Sequence, residues 1–163
     1  VSVVRTGFLL AAWPLLVALM AAVVAPLSDG DRYSPGLLCS TGLLILAAGM
    51  LALATMPHDT SEMGMAFRLA LCGIGFGLFQ APNMREIMSK APANRSGGAS
   101  AVVAISRLLG QTCGAALVAQ CFHSRQDAGP VMALWLGGGC AFLGCVFSAM
   151  RIPSANKADI ACS

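Results

Sequence analysis

A stripe of polar and small residues interrupts the apolar run 98–122, which is long enough to cross a bilayer. The stripe follows the i, i+3, i+4, i+7 spacing of one helix face and consists of Arg107, Gly110, Gln111 and Gly114. A charge buried in lipid is expensive and usually marks a functional position. One interpretation is that Arg107 and Gln111 border a substrate or proton path. The other is that Arg107 binds helix-end carbonyls or a carboxylate and holds the bundle together.

A second polar pair lies near the end of the apolar run 64–84, where Gln80 and Asn83 flank Pro82. Proline removes one backbone donor and leaves a carbonyl of the previous turn without its partner. Such a break is tolerated where it lines a cavity or packs on neighbouring helices. Gln80 and Asn83 are therefore candidate residues of the same path, and a simple packing kink is the alternative.

No other pattern indicates catalysis or a bound metal. The sequence has no serine, histidine and aspartate order on a nucleophile elbow, no carboxylate pair within an apolar run, and no histidine-rich ligand spacing. Six of the seven cysteines lie within or at the ends of apolar runs without a Cys-x-x-Cys pair, which is typical of packing residues. We predict no enzymatic activity, no metal and no cofactor.

The polar residues are carried by long apolar segments. Five runs reach the length of about 20 residues that a helix needs to cross a bilayer: 6–27, 37–56, 64–84, 98–122 and 131–150. Charged residues make up 10% of the chain, whereas soluble domains have about 25%. A soluble bundle would need polar outer faces, which these segments lack. The sequence predicts an all-α, polytopic transmembrane bundle of five spans, followed by a cytoplasmic tail at 151–163.

The positions of lysine and arginine, rather than the net charge of +3, indicate the orientation. One set of helix ends carries Arg5, Arg68 and Arg125. The other set carries Arg32, Arg85, Lys90, Arg95, Arg151 and Lys157. Because cytoplasmic loops are enriched in such residues, we expect the N-terminus outside and the C-terminus in the cytoplasm. The charge does not imply nucleic-acid binding.

Small residues recur where helices are expected to touch. Gly73 and Gly77 in the third run, and Gly110 and Gly114 in the fourth, are spaced four apart, which allows two helix backbones to approach closely. We predict that these four glycines lie at contacts between helices. Together with Gly75 the first pair superficially resembles a phosphate-binding glycine loop, but such a loop follows a strand and this cluster lies in an apolar run.

Three stretches of the sequence resemble one protein family. The first contains Trp13-Pro14 and the link 28–38 (SDGDRYSPGLL), the second is 68–83 (RLALCGIGFGLFQAPN), and the third is 107–119 (RLLGQTCGAALVA). They are similar to late helices and an inner loop of drug:proton antiporters in the major facilitator superfamily, in its fourteen-helix branch. The similarity extends over about 6–150.

The resemblance implies an incomplete C-terminal half of a major facilitator fold, with the first helix of that half and the whole N-terminal half missing. The chain opens without methionine and its first apolar run is too long for a signal peptide, so we also expect a fragment on these grounds. Asp31 and Arg32 would fill the last two positions of the family's Gly-x-Leu-x-Asp-Arg gating signature, in a loop that is shorter than usual.

The same resemblance implies a function. The full-length protein would export amphipathic, often cationic, small molecules across the cytoplasmic membrane in exchange for protons. Its partners would be the lipid bilayer, the missing N-terminal half, the substrate and protons. The alternative is a non-transporting membrane module, or a degenerate truncated product, that acts only through helix packing.

Overall fold

The computed structural model describes residues 3–27, 34–57, 60–92, 96–124 and 127–150. Five α-helices occupy these ranges: α1 (Val3–Leu27), α2 (Pro35–Ala54), α3 (Glu62–Ser89), α4 (Ser96–Ser124) and α5 (Gly129–Ala149). The described ranges contain no strand, so the predicted all-α bundle of five helices is confirmed. Asp31, Arg32 and the predicted tail 151–163 lie outside the described residues.

The lengths and composition of the helices are those of a membrane protein. Among the described residues, four helices are long and apolar enough to cross a bilayer: Pro35–Ala54, Glu62–Ser89, Gly97–Ser124 and Gly129–Ala149. In α1 the described residues give a shorter apolar helix, Trp13–Val24. Large apolar side chains such as Leu15, Leu108 and Phe147 are exposed on the bundle, as expected where lipid or another apolar surface covers them.

Helix α3 is longer than the apolar run 64–84 from which it was predicted, and Pro82 does not interrupt it. Pro82 lies inside the helix and is fully buried. The helix continues to Ser89, and the Lys90 ammonium lies 2.6 Å from the Glu86 carboxylate one turn earlier, which supports the last turn. Arg85 therefore lies within the helix, beyond the end of the apolar run.

Helix α3 packs against α2 through backbone-to-backbone contact. A Cβ atom added to Gly75 would lie 2.5 Å from the Leu46 nitrogen and 2.7 Å from the Gly42 oxygen. On the other side of the contact, a Cβ at Gly42 would lie 2.7 Å from the Phe79 nitrogen. There is no room for a side chain at either glycine, so the two helices touch at their main chains.

The opposite side of α3 packs against α1 through two further glycines. A Cβ at Gly77 would lie 2.7 Å from the Cβ of Met20, and a Cβ at Gly73 would lie 3.2 Å from Cδ1 of Trp13. Helix α3 is therefore held between α1 and α2, while α2 also packs against α5. The structure places Gly73 and Gly77 in a helix contact, as the spacing of four suggests.

Gly110 and Gly114 of α4 meet no neighbour among the described residues. No described atom lies within 4 Å of a Cβ built at either glycine. Helix α4 packs mainly against α5 and touches α3 only slightly. A contact with α5 lies near the end of α4, where a Cβ at Gly129 would lie 2.9 Å from the Phe122 Cα. Spacing alone therefore did not reveal which glycine pair meets a neighbour within the described residues.

Thiols and a hydroxyl link α2 to its two neighbours. Cys145 Sγ of α5 donates to the Ser40 oxygen at 3.2 Å, and Ser148 Oγ donates to the Gly36 oxygen at 3.3 Å. Cys39 Sγ donates to the oxygen of Phe79 in α3 at 3.7 Å. These cysteines are small packing residues that also hydrogen-bond across helix contacts, where lipid offers no competing water.

Replacing Gly75 with alanine is expected to lower the amount of folded protein in the membrane. The added Cβ meets main-chain atoms of α2, so the helices must separate, and overpacking of this kind costs about 1–3 kcal/mol. Gly139→Ala is the matched control, because no described atom lies within 4 Å of that position. Membrane abundance and the thermal unfolding midpoint measure the effect. Equal values for the two variants would contradict the close contact.

Candidate functional site

A cavity of about 750 Å³ lies between α1 and α3, with one wall residue from α4. Helix α3 contributes four wall residues at a spacing of four: Phe76, Gln80, Met84 and Met88. Side chains four apart lie above one another on a helix, so this series forms a continuous stripe. The extension of α3 beyond Pro82 is what places Met88 on the same stripe.

Helix α1 forms the facing wall with Trp13, Val17 and Ala21, which are again spaced four apart. The small residues Ala18 and Ala21 leave space opposite the longer side chains of α3. The wall is therefore mostly apolar and carries few polar groups, a composition typical of sites for small organic molecules.

The aromatic part of the cavity has a defined geometry. The rings of Trp13 and Phe76 meet edge to face, with centroids 6.5 Å apart and an interplanar angle of 90°. Phe76 also contacts Phe79 at a centroid distance of 6.5 Å. Gly73 leaves room for the Trp13 ring, because a Cβ there would lie 3.2 Å from Cδ1. The contact of α1 with α3 thus fixes the position of the aromatic wall.

Polar groups enter the cavity from two helices. Gln80 and Arg85 belong to α3, and Arg107 reaches the wall from α4. Arg107 lies roughly 16 Å along the helix from its start at Ser96, at about 1.5 Å per residue. In the part of the chain that the structure describes, no hydrogen bond or ion pair involves Arg107.

The structure brings together two of the four residues predicted to border a path. Arg107 and Gln80 both line the cavity, whereas Gln111 and Asn83 are absent from its described wall. Gln111 is exposed one turn further along α4. Asp31 and Arg32, the predicted gating pair, lie outside the described residues. No group of three His, Cys, Asp or Glu side chains among the described residues could hold a metal.

Several wall residues were not singled out as functional by sequence reasoning. Trp13 and Pro14 entered only through the family resemblance, and Phe76, Met84 and Met88 were not considered as wall residues. The signal was present in the series of large side chains four apart along α3. To recognise this series as a cavity wall, one must know that α3 remains helical beyond Pro82 and that α1 lies opposite it.

Comparison with known proteins identifies the family. The family model described as Major Facilitator Superfamily matches residues 1–115, which is more than half of the chain. The chain belongs to the major facilitator superfamily. It is therefore part of a multi-pass membrane transporter, and the predicted partial facilitator bundle is confirmed.

Two similar proteins come from bacteria. The uncharacterized transporter YebQ of Escherichia coli (strain K12) is 41% identical over 151 residues, which cover 93% of this chain and 33% of YebQ. The quinolone resistance protein NorB of Staphylococcus aureus (strain MRSA252) is 23% identical over 164 residues, which cover 98% of this chain and 35% of NorB. The chain thus spans about a third of the length of these facilitators. No solved structure gives a significant match.

Arg107→Ala is expected to leave the membrane abundance and the thermal unfolding midpoint of this facilitator segment near their wild-type values. The reason is that the guanidinium has no described partner that the substitution would strand. Gly75→Leu serves as the destabilised reference, because its side chain collides with the α2 main chain. A loss of abundance in Arg107→Ala as large as that in Gly75→Leu would instead identify Arg107 as a structural clamp.

Proposed function

We propose that the chain forms one wall of the substrate path in a proton-driven exporter of amphipathic small molecules. The observation that carries the proposal is the cavity between α1 and α3, where aromatic and methionine side chains lie beside Gln80 and Arg107. Such a wall suits a substrate that combines an apolar body with a polar group. The resistance to quinolones in the name of NorB supports drug export as the activity.

In this proposal the proton is carried by residues outside this wall. Intramembrane carboxylates are common proton carriers in transporters, but no described Asp or Glu lines the cavity. Among the described helices, Glu62 begins α3 and Glu86 lies 2.6 Å from the Lys90 ammonium near its end. This chain therefore supplies substrate contacts, and segments beyond it supply the proton site and the opposite wall.

Two further parts of the chain have roles in the same proposal. Asp31 and Arg32 form the gating pair of the inner loop between α1 and α2. Gly110 and Gly114 pack against a helix outside this chain, since no described atom lies within 4 Å of a Cβ built at either glycine. The alternation of two halves around a central site then opens the cavity to one side of the membrane at a time.

The energy source is the most direct test of the proposed function. In cells that express the complete protein, efflux of the quinolone norfloxacin should stop when a protonophore collapses the proton gradient. Efflux should continue when ATP is depleted while the gradient is maintained. Arg107→Ala should reduce efflux strongly at normal abundance, and Arg107→Lys should restore it in part, because lysine lacks the planar guanidinium fork. Efflux that follows ATP rather than the gradient would refute the proposal.

The proposed location is the bacterial inner membrane, with the N-terminus outside and the C-terminus in the cytoplasm. The turn after α3 carries Lys90, and the turn between α4 and α5 carries Asp127. In a variant without native cysteines, an impermeant thiol reagent should label a cysteine at position 127 in intact cells and not one at position 90. Membrane permeabilisation should expose position 90. Labelling in the opposite pattern would invert the orientation.

A further inference from the structure

All charged groups in the described cavity wall have the same sign. Arg85 and Arg107 contribute to this wall, and none of its described residues is an acid. A cationic ligand would therefore be repelled by the Arg107 guanidinium, which has no hydrogen-bond or ion-pair partner among the described residues. An anionic ligand would be attracted to the same wall, and strongly so where water is excluded.

Arg107 is the residue best placed to bind such an anion. No described residue forms a hydrogen bond or an ion pair with it. Its side chain lines the cavity from the middle of a helix of 29 residues, far from both ends. A guanidinium presents its N–H groups in a planar fork that matches the two oxygens of a carboxylate.

The opposite wall is suited to an aromatic ring. Trp13 remains 41% exposed although its ring lies against Gly73 and Phe76. Its edge-to-face contact with Phe76 holds both rings in place, so they offer a preformed apolar surface. Met84 and Met88 extend this surface with flexible thioethers that adapt to different shapes.

We propose that this cavity binds aromatic carboxylates or related aromatic anions, with Arg107 pairing with the anionic group and Trp13 and Phe76 contacting the ring. The proposal rests on the proposed function and specifies its substrate class. It differs from the expectation of cationic substrates that the family resemblance suggested. Aromatic rings also attract cations, but here the positive charge of Arg107 opposes that attraction.

Three naphthalene probes that differ in charge test the proposal: 1-naphthoate, 1-naphthamide and 1-naphthylmethylammonium. Their binding to the complete protein in lipid nanodiscs is measured by isothermal titration calorimetry. Naphthoate should bind at least about tenfold more tightly than the ammonium probe. Arg107→Gln should weaken naphthoate binding by about tenfold or more, the range expected for charge-assisted hydrogen bonds, and leave naphthamide unchanged. Arg107→Lys should give an intermediate value.

Arg68→Gln is the matched control, because it also removes one positive charge, but from a position on α3 that lies outside the described cavity wall. Arg68 Nη1 donates to the Gly64 oxygen at 3.1 Å. This variant should bind naphthoate like the wild type. Equal losses in the two glutamine variants, or a wild-type protein that binds the ammonium probe as tightly as naphthoate, would overturn the proposal. If Arg107→Gln does not fold, the comparison of naphthoate with the ammonium probe on the wild-type protein still tests the proposal.

Efflux of the same probes from energised cells separates this inference from the proposed function. Selective naphthoate binding without gradient-driven efflux would support the anion site and refute the exporter. Gradient-driven efflux of the ammonium probe without selective naphthoate binding would support the exporter and refute the anion site. Gradient-driven efflux of naphthoate that is lost in Arg107→Gln and kept in Arg68→Gln would support both.

Discussion

Close contact between helix backbones is the constraint on which this bundle depends. In lipid the hydrophobic effect gives little reason for two apolar helices to associate, so tight main-chain packing has to supply the attraction. Helix α3 meets α2 at Gly75 and α1 at Gly73 and Gly77, and an added Cβ would collide with the neighbouring helix at Gly75 and Gly77. Because Phe76 and Gln80 lie close to these contacts on the same helix, the packing that stabilises α3 also fixes the central part of the cavity wall.

The two sides of the cavity differ in how closely the helices that carry them are packed. The aromatic wall is tied to the close contact of α1 with α3, whereas Arg107 is carried by α4, whose membrane-spanning part is not buried among the described residues. Helix α4 packs mainly against α5 and barely touches α3. Within the described residues, the charge is thus on a helix that the contacts of the aromatic wall do not hold in place.

The sequence was sufficient to predict which segments form helices, but not which helices contact one another. Apolar length is a one-dimensional signal, so five runs predicted five helices. Which face of a helix meets another is a three-dimensional property: Gly73 and Gly110 begin the same spacing pattern, yet only Gly73 meets a described neighbour. Likewise Arg107 and Gln111 share one stripe, but only Arg107 belongs to the described cavity wall. The aromatic wall depends on the pairing of α1 with α3, which no local pattern in either helix specifies.

The charge of the wall also constrains how proton exchange could be coupled to transport. A carboxylate that paired with Arg107 would release the guanidinium when protonated, and this would strengthen the binding of an anionic substrate rather than expel it. Direct competition for Arg107 would therefore move protons and an anion in the same direction. In an exchanger of aromatic anions, the proton site has to be separate from Arg107. The two sites would then be coupled only through their different affinities in the inward-open and outward-open states.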